Sequence, residues 1–295
     1  MPAMIKLLTP VDAGRSPVLF SYEDRLLVLG SCFADNIGRK LTEAGFRVCV
    51  NPFGTLYNPV SVCNAVARLQ AGIPFTEADC VEVGAGSGLT GSFWHHTLAA
   101  RPTAGAFLSD ANAALEEASA FFRQCNKVIL SLGTAWCWRH TVSGEIVANC
   151  LKRPAAEFTR ERLSVAAVTS MLEQLMVRYP DKQFIFTVSP IRHLKDSAHG
   201  NQLSKSILLL SIENIASNPS LAGRLAYFPA YEILLDELRD YRWYAPDLVH
   251  PSIPAIDYLW ERFVDFGLAD GEKETLLEAE KRFRQSQHRP LHPLL

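Results

Sequence analysis

The apolar run RLLVLG at residues 25–30 is followed by apolar residues at Phe33, Ile37 and Leu41. An unbroken apolar run predicts a buried strand. The i, i+4, i+8 spacing predicts a helix with one buried face, which Gly45 can end. FRVCVNP, from Phe46, is then a second strand, so the chain opens β–α–β. Three later runs, KVILSLG, QFIFTVS and RLAYFPAYEIL, have the same strand character. Helical periods are predicted between them at 107–124, 158–178 and 201–216, and after them at 252–267 and 271–286. The last of these is acidic early (Glu272, Glu274, Glu278) and basic late (Lys281, Arg282, Arg284), which suits the helix dipole. Residues 71–106, rich in Gly, Thr and Pro, fit neither period and read as an insertion over the sheet edge. Strands alternating with helices imply an α/β fold with a central parallel sheet covered on both faces. The expected organisation is a single domain over 1–295. Its core spans about 25–265, with the insertion at 71–106 and a C-terminal helical extension at 268–295.

Composition narrows the function more than the fold. The 295 residues suffice for one large α/β domain or two small ones. A net charge of −2 argues against sequence-independent nucleic-acid binding and against a membrane-surface protein. The N-terminus has no continuous apolar segment of the signal-peptide kind, and no apolar run approaches the ~20 residues of a membrane span. The seven cysteines (32, 49, 63, 80, 125, 137 and 150) are odd in number and show no CxxC spacing. That pattern predicts neither a disulfide framework nor a metal site, and it fits a reducing cytoplasm.

In doubly wound sheets ligands sit beyond the carboxyl ends of the strands. The segments to read are therefore GSC, NPFGTLYNP, SLGTAW and TVSPIRH, with APDLVHPS near the end of the chain. Asp247 and His250 stand three apart in the last of these. A histidine held by a carboxylate is the acid–base half of a hydrolytic triad, and a nucleophile is then sought at the strand-to-helix turn, at Ser31 or Cys32. Arg192 and His193 follow the strand QFIFTVS and are candidates for substrate contact. Asn201 and Lys205 begin a helix that can pair with that loop, and Trp94, His95 and His96 read as a loop over the site. VEVGAGSGLTG at 81–91 resembles the glycine-rich cofactor loop of SAM-dependent methyltransferases. No apolar helical period follows it, so a surface turn is expected there.

The segments LGSCFADNIG, VNPFGTLYNP, SLGTAW, SPIRH, NQLSK and DLVHPS together resemble the signature of GSCFA-domain proteins, a group assigned to the SGNH-hydrolase-like superfamily. The resemblance covers roughly residues 25–265. It implies a flavodoxin-like three-layer α/β/α fold and ester or acyl chemistry. Laid ungapped on the superfamily's first block, Gly30-Ser31-Cys32-Phe33 puts Cys32 at the nucleophile and Ser31 at the helix N-cap; a shift of one makes Ser31 the nucleophile. Gly54 matches the second block and Gly133 the third, but Ala135 stands where the superfamily has its oxyanion asparagine. Asn149 is a candidate substitute. The resemblance thus implies an esterase or acyltransferase acting on a small ester or an acylated carbohydrate. Backbone N–H groups of Cys32 and Gly54 would form its oxyanion hole, and the helix N-terminus would lower the Cys32 pKa. No cofactor is implied, and acyl-CoA is a candidate thioester co-substrate. The alternatives are a methyltransferase built on 81–91 and an inactive SGNH-fold binding module.

Overall fold

The structure is a computed structural model, and it describes residues 8–287. Five parallel strands form the central sheet: β1 (Arg25–Gly30), β2 (Arg47–Val50), β3 (Lys127–Leu132), β4 (Gln183–Val188) and β5 (Leu225–Phe228). Their spatial order is β5-β4-β3-β1-β2, the flavodoxin-like order, with its switch point between β1 and β3. The helices are α1 (Cys32–Glu43), α2 (Pro59–Ala71), α3 (Ala104–Gln124), α4 (Val165–Arg178), α5 (Ser197–Ala216), α6 (Ile253–Gly267) and α7 (Lys273–Gln287).

Period-two alternation on β1 divides the core. Leu27 and Leu29 point into one cluster with side chains of α2 to α5, while Leu26 and Val28 point into the other with α1, α6 and α7. A buried parallel strand needs apolar residues on both faces, which is why RLLVLG is unbroken. The result is a three-layer α/β/α fold. The second cluster is completed by residues before β1. Ser16 N and Phe20 N donate to the carbonyls of Phe266 and Gly267 at the end of α6, and the Phe20 ring stacks on Phe263 at 5.1 Å.

Two stretches depart from the sequence expectations, and a third, the glycine-rich one, follows them. Residues 158–162 are a strand rather than the start of a helix. Phe158–Arg162 pairs antiparallel with Trp136–His140, which also pairs with Ile146–Val147, and the helix begins only after Ser164, whose hydroxyl accepts from Ala167 N. The run 224–234 is strand only to Phe228, because Pro229 cannot continue the ladder and Ala230–Glu232 turns helical. The glycine-rich stretch is the tip of a short hairpin between Val81–Glu82 and Thr90–Gly91. Gly84, Gly86 and Gly88 all have positive φ, and no helix follows directly. The surface turn expected there is what forms, without the helix N-terminus a cofactor loop requires. Among the described residues no helix is long and apolar enough to cross a membrane.

Candidate active site

Strand β1 ends at Gly30, whose φ of +132° is open to glycine alone. A Cβ there would sit 2.0 Å from the carbonyl oxygen of Ser131 on the neighbouring strand. This close approach lets Ser31 N donate to the Ser131 carbonyl at 3.0 Å and starts α1 directly behind it. Asn51, after β2, ties the turn together: its Oδ1 accepts from Gly30 N at 2.8 Å and its Nδ2 donates to Asp35 Oδ1 at 2.5 Å.

The two nucleophile candidates separate here. Ser31 is buried (1% exposed); its hydroxyl accepts from Phe33 N at 3.2 Å as the N-cap of α1 and lies 2.9 Å from the Ser131 hydroxyl. Cys32 is the first residue of α1 and lines an open cleft of about 540 Å³. Its Sγ lies 3.5 Å from the Tyr57 hydroxyl, which accepts from Thr55 Oγ1 at 3.2 Å and so keeps its own proton to donate. The expected lowering of the Cys32 pKa is not what the surroundings produce. Burial pushes the thiol above its ordinary value, the Tyr57 hydrogen bond opposes this, and Asp35 adds to the rise. The helix N-terminus does not outweigh the loss of solvent.

His250 lines the same cleft. Its Nδ1 is 2.6 Å from Asp247 Oδ2, while Asp247 Oδ1 accepts from the backbone N–H groups of Val249 and His250, each at 2.9 Å. Those bonds, the backbone pair first, hold the Asp247 carboxyl down to about 2. An ionised carboxylate only accepts, so Nδ1 is the proton donor and Nε2 is the basic atom of the neutral ring. Leu248, between the two, is held at φ +58°, the left-handed turn that folds the imidazole back over its carboxylate. The thiol and the imidazole make no hydrogen bond to each other, although both line the cleft.

The two glycines serve the backbone rather than an oxyanion. Gly54 N donates to the Asn51 carbonyl at 2.7 Å, so it is not a free donor. Its φ of +78° and the bare Cα make room for His96, whose Cβ would lie 2.6 Å from an added Cβ. Gly133 N and Thr134 N both donate to the Tyr57 carbonyl, at 2.8 and 2.9 Å, locking the third strand's loop onto the second's. The reading of Gly54 N–H as an oxyanion donor is thereby corrected. Cys32 N, at the open end of α1, has no backbone acceptor among the described residues. Ala135 is wholly buried and its N–H is taken by Ser204 Oγ at 2.7 Å. Asn149 does line the cleft. Its Oδ1 is fixed by Thr97 Oγ1 at 2.9 Å and Leu151 N at 2.8 Å, and its Nδ2 carries no hydrogen bond among the described residues.

Arg192 and His193 line the cleft beside His250. Burial, with Lys205 and Arg160 adding to it, pushes His193 down to about 3, so it stays neutral and is not a base. Its backbone N–H donates to Asn201 Oδ1 at 3.0 Å. Lys205 is buried with no carboxylate partner; its Nζ donates to the carbonyls of Gly133 (2.6 Å) and Ser189 (2.7 Å), and burial pushes its pKa down to about 7. It thus pins the loops after β3 and β4 to one helix. Trp94 and His95 do not form a lid: His95 is buried against Phe53, Phe75 and Phe107, with both ring nitrogens unpartnered. Tyr57 was missed by the sequence reading, as were Trp136, Trp138 and Arg160, which wall the cleft from the small antiparallel sheet. Tyr57 and Trp136 lay in the segments NPFGTLYNP and SLGTAW read as ligand-edge loops, Trp138 in an unassigned stretch, and Arg160 in a segment read as helix. Among the described residues no group of three His, Cys, Asp or Glu side chains is placed to hold a metal ion.

Comparison with known proteins gives few relatives. None of the curated proteins matches the chain. A solved structure from Streptococcus pneumonia, provisionally assigned as a platelet activating factor, is similar at 11% identity and a TM-score of 0.41, over 82% of this chain and 83% of that one. The GSCFA family model matches residues 25–263, most of the length, and the chain belongs to the GSCFA family.

Proposed function

We propose that this protein is an ester hydrolase or acyl transferase of the SGNH type, with Cys32 as nucleophile, His250 as base and Asp247 as the carboxylate that orients it. One observation carries the reading: a 2.6 Å Asp247–His250 pair borders the same cleft that Cys32 lines from the first turn of a helix. The raised thiol pKa favours a general-base step over a resting thiolate. His250 Nε2 takes the proton as Sγ bonds to the acyl carbon, and the carbonyl π pair moves to oxygen. Cys32 N–H and the Asn149 amide are the donors available to that oxyanion. Collapse breaks the bond to the leaving alcohol or thiol, which receives the proton from His250. Water or an acceptor hydroxyl then attacks the Cys32 thioester by the same route in reverse. The substrate is a small ester or acylated carbohydrate, or a thioester such as acyl-CoA, and the chemistry needs no cofactor. Ser31 is the weaker nucleophile because its hydroxyl is buried and engaged as a cap.

The test is turnover of p-nitrophenyl acetate. Cys32→Ala and His250→Ala should each lower kcat by roughly 10³-fold or more, with an acyl-thioester on Cys32 trapped by mass spectrometry in His250→Ala. If Cys32→Ala retains full turnover and Ser31→Ala loses it, the nucleophile is the serine. If neither change matters, the chemistry is not at this turn.

A further inference from the structure

The cleft carries a charge opposite to that of the whole molecule. The chain has a net charge of −2, yet Arg160, Arg192 and Lys195 line the cleft against a single carboxylate, Asp196. That carboxylate is already bound by Arg160, which also stacks over Trp136 and Trp138 at 5.2 and 4.7 Å. Asp247, at the rim, is occupied by His250 and two backbone N–H groups. Arg192 and Lys195 therefore have no acidic partner among the described residues, and Arg192 Nε is buried without a hydrogen bond. Burial raises the pKa of nearby Tyr231 and Tyr244, and the positive charge of Arg192 opposes that rise. A guanidinium carries five N–H donors and no acceptor, and one left unsatisfied in a partly enclosed cleft is arranged for an oxyanion from outside.

We propose that the cleft takes an anionic substrate, an ester or thioester bearing a phosphate or carboxylate group, with Arg192 as its anchor and Lys195 at the outer edge. This rests on the acyl-transfer reading of Cys32 for its chemistry, but the anion site itself does not depend on that reading. Arg192 lies on the loop after β4, four residues past the strand's end at Val188, and His250 shares its cleft. The anion is thereby held on the side of the imidazole, and the acyl carbon is directed to Sγ. The walls of Trp136 and Trp138 lower the local dielectric and strengthen the attraction.

The experiment uses the full chain in a phosphate-free buffer. Tryptophan fluorescence is titrated with inorganic phosphate, with succinate and with neutral succinamide, on the wild type, Arg192→Gln and Arg47→Gln. Arg47 is the exposed first residue of β2, at the amino end of the sheet. In parallel, the alkylation of Cys32 by anionic iodoacetate and neutral iodoacetamide is followed by mass spectrometry. The expected result is saturable binding of phosphate or succinate, but not succinamide, weakened about tenfold or more in Arg192→Gln and unchanged in Arg47→Gln. The iodoacetate-to-iodoacetamide rate ratio at Cys32 should fall several-fold in Arg192→Gln. Preference for phosphate assigns a phosphorylated substrate, and preference for succinate a carboxylated one. No saturable binding of either anion, or equal binding by wild type and Arg192→Gln, overturns the proposal. Saturable anion binding by a wild-type protein that shows no esterase turnover would refute only the chemistry at Cys32.

Discussion

Replacing Lys205 by methionine tests whether a buried, carboxylate-free ammonium holds the cleft loops together. The lysine is 1% exposed and its Nζ bonds only the carbonyls of Gly133 and Ser189. Its pKa in the folded chain is about 7, against about 10.4 for an unfolded lysine. Below pH 7 the residue is charged in both states and the cost of burying that charge is fully present. Between pH 7 and 10 the unfolded chain binds a proton that the folded chain has released, so stability rises with pH. The slope is at most ~1.4 kcal/mol per unit, of order 4 kcal/mol across the window. Methionine removes that dependence and leaves two buried carbonyls short of a donor, ~1–3 kcal/mol each. At pH 6 the two effects roughly offset, and the variant should unfold near the wild-type urea midpoint. At pH 9.5 it should be several kcal/mol less stable. Urea unfolding followed by circular dichroism at pH 6, 7.5 and 9.5, taken as the difference between the two proteins, cancels the tyrosine and cysteine titrations they share. Parallel curves for wild type and variant would refute the depressed lysine and the argument built on it.

Three further outcomes follow from the same geometry. Gly30→Ala places a Cβ 2.0 Å from Ser131 O at φ +132°, and should cost roughly 3 kcal/mol or more or prevent folding, read by thermal unfolding. Ser31→Ala removes the α1 cap and should lower stability by about 0.5–2 kcal/mol in urea, while Cys32 remains open to iodoacetamide. Because burial raises the Cys32 pKa, its alkylation rate should keep climbing past pH 9; a plateau below pH 7 would reveal a preformed thiolate and refute the general-base step.

The main sheet was legible because its strands are buried on both faces, and a mostly apolar stretch with five of its six residues buried, as in KVILSL, has few other uses. The Trp136–Arg162 sheet was not. Its strands are half exposed, and in FTRER, where only Phe158 is buried, the alternation is too weak to outweigh the helical period that follows. The Asp247–His250 pair was readable because three residues suffice to close the turn. The exclusion of Gly54 was not, since it depends on which carbonyl its N–H meets. The thiol pKa was misjudged for a related reason: a helix N-terminus is visible in sequence, whereas the desolvation that outweighs it comes from surrounding packing.

The tie between the segment before β1 and the end of α6 also sets an order of events in time. The face of β1 bearing Leu26 and Val28, with Val18 and Phe20 beside it, is covered by side chains of α6 and α7 as well as α1. Those helices leave the ribosome roughly 220 residues after β1, a delay of roughly 10–45 s at ~5–20 residues per second. The opposite face acquires α2 and α3 early in synthesis. The nascent chain thus carries a half-finished hydrophobic layer for most of its making, and His250 arrives just ahead of the helices that close it. Assembly of the cleft and sealing of the second core are consequently late events in the same interval. A chain halted before residue 247 would hold its thiol at the end of β1 and lack both the Asp247–His250 pair and its cover.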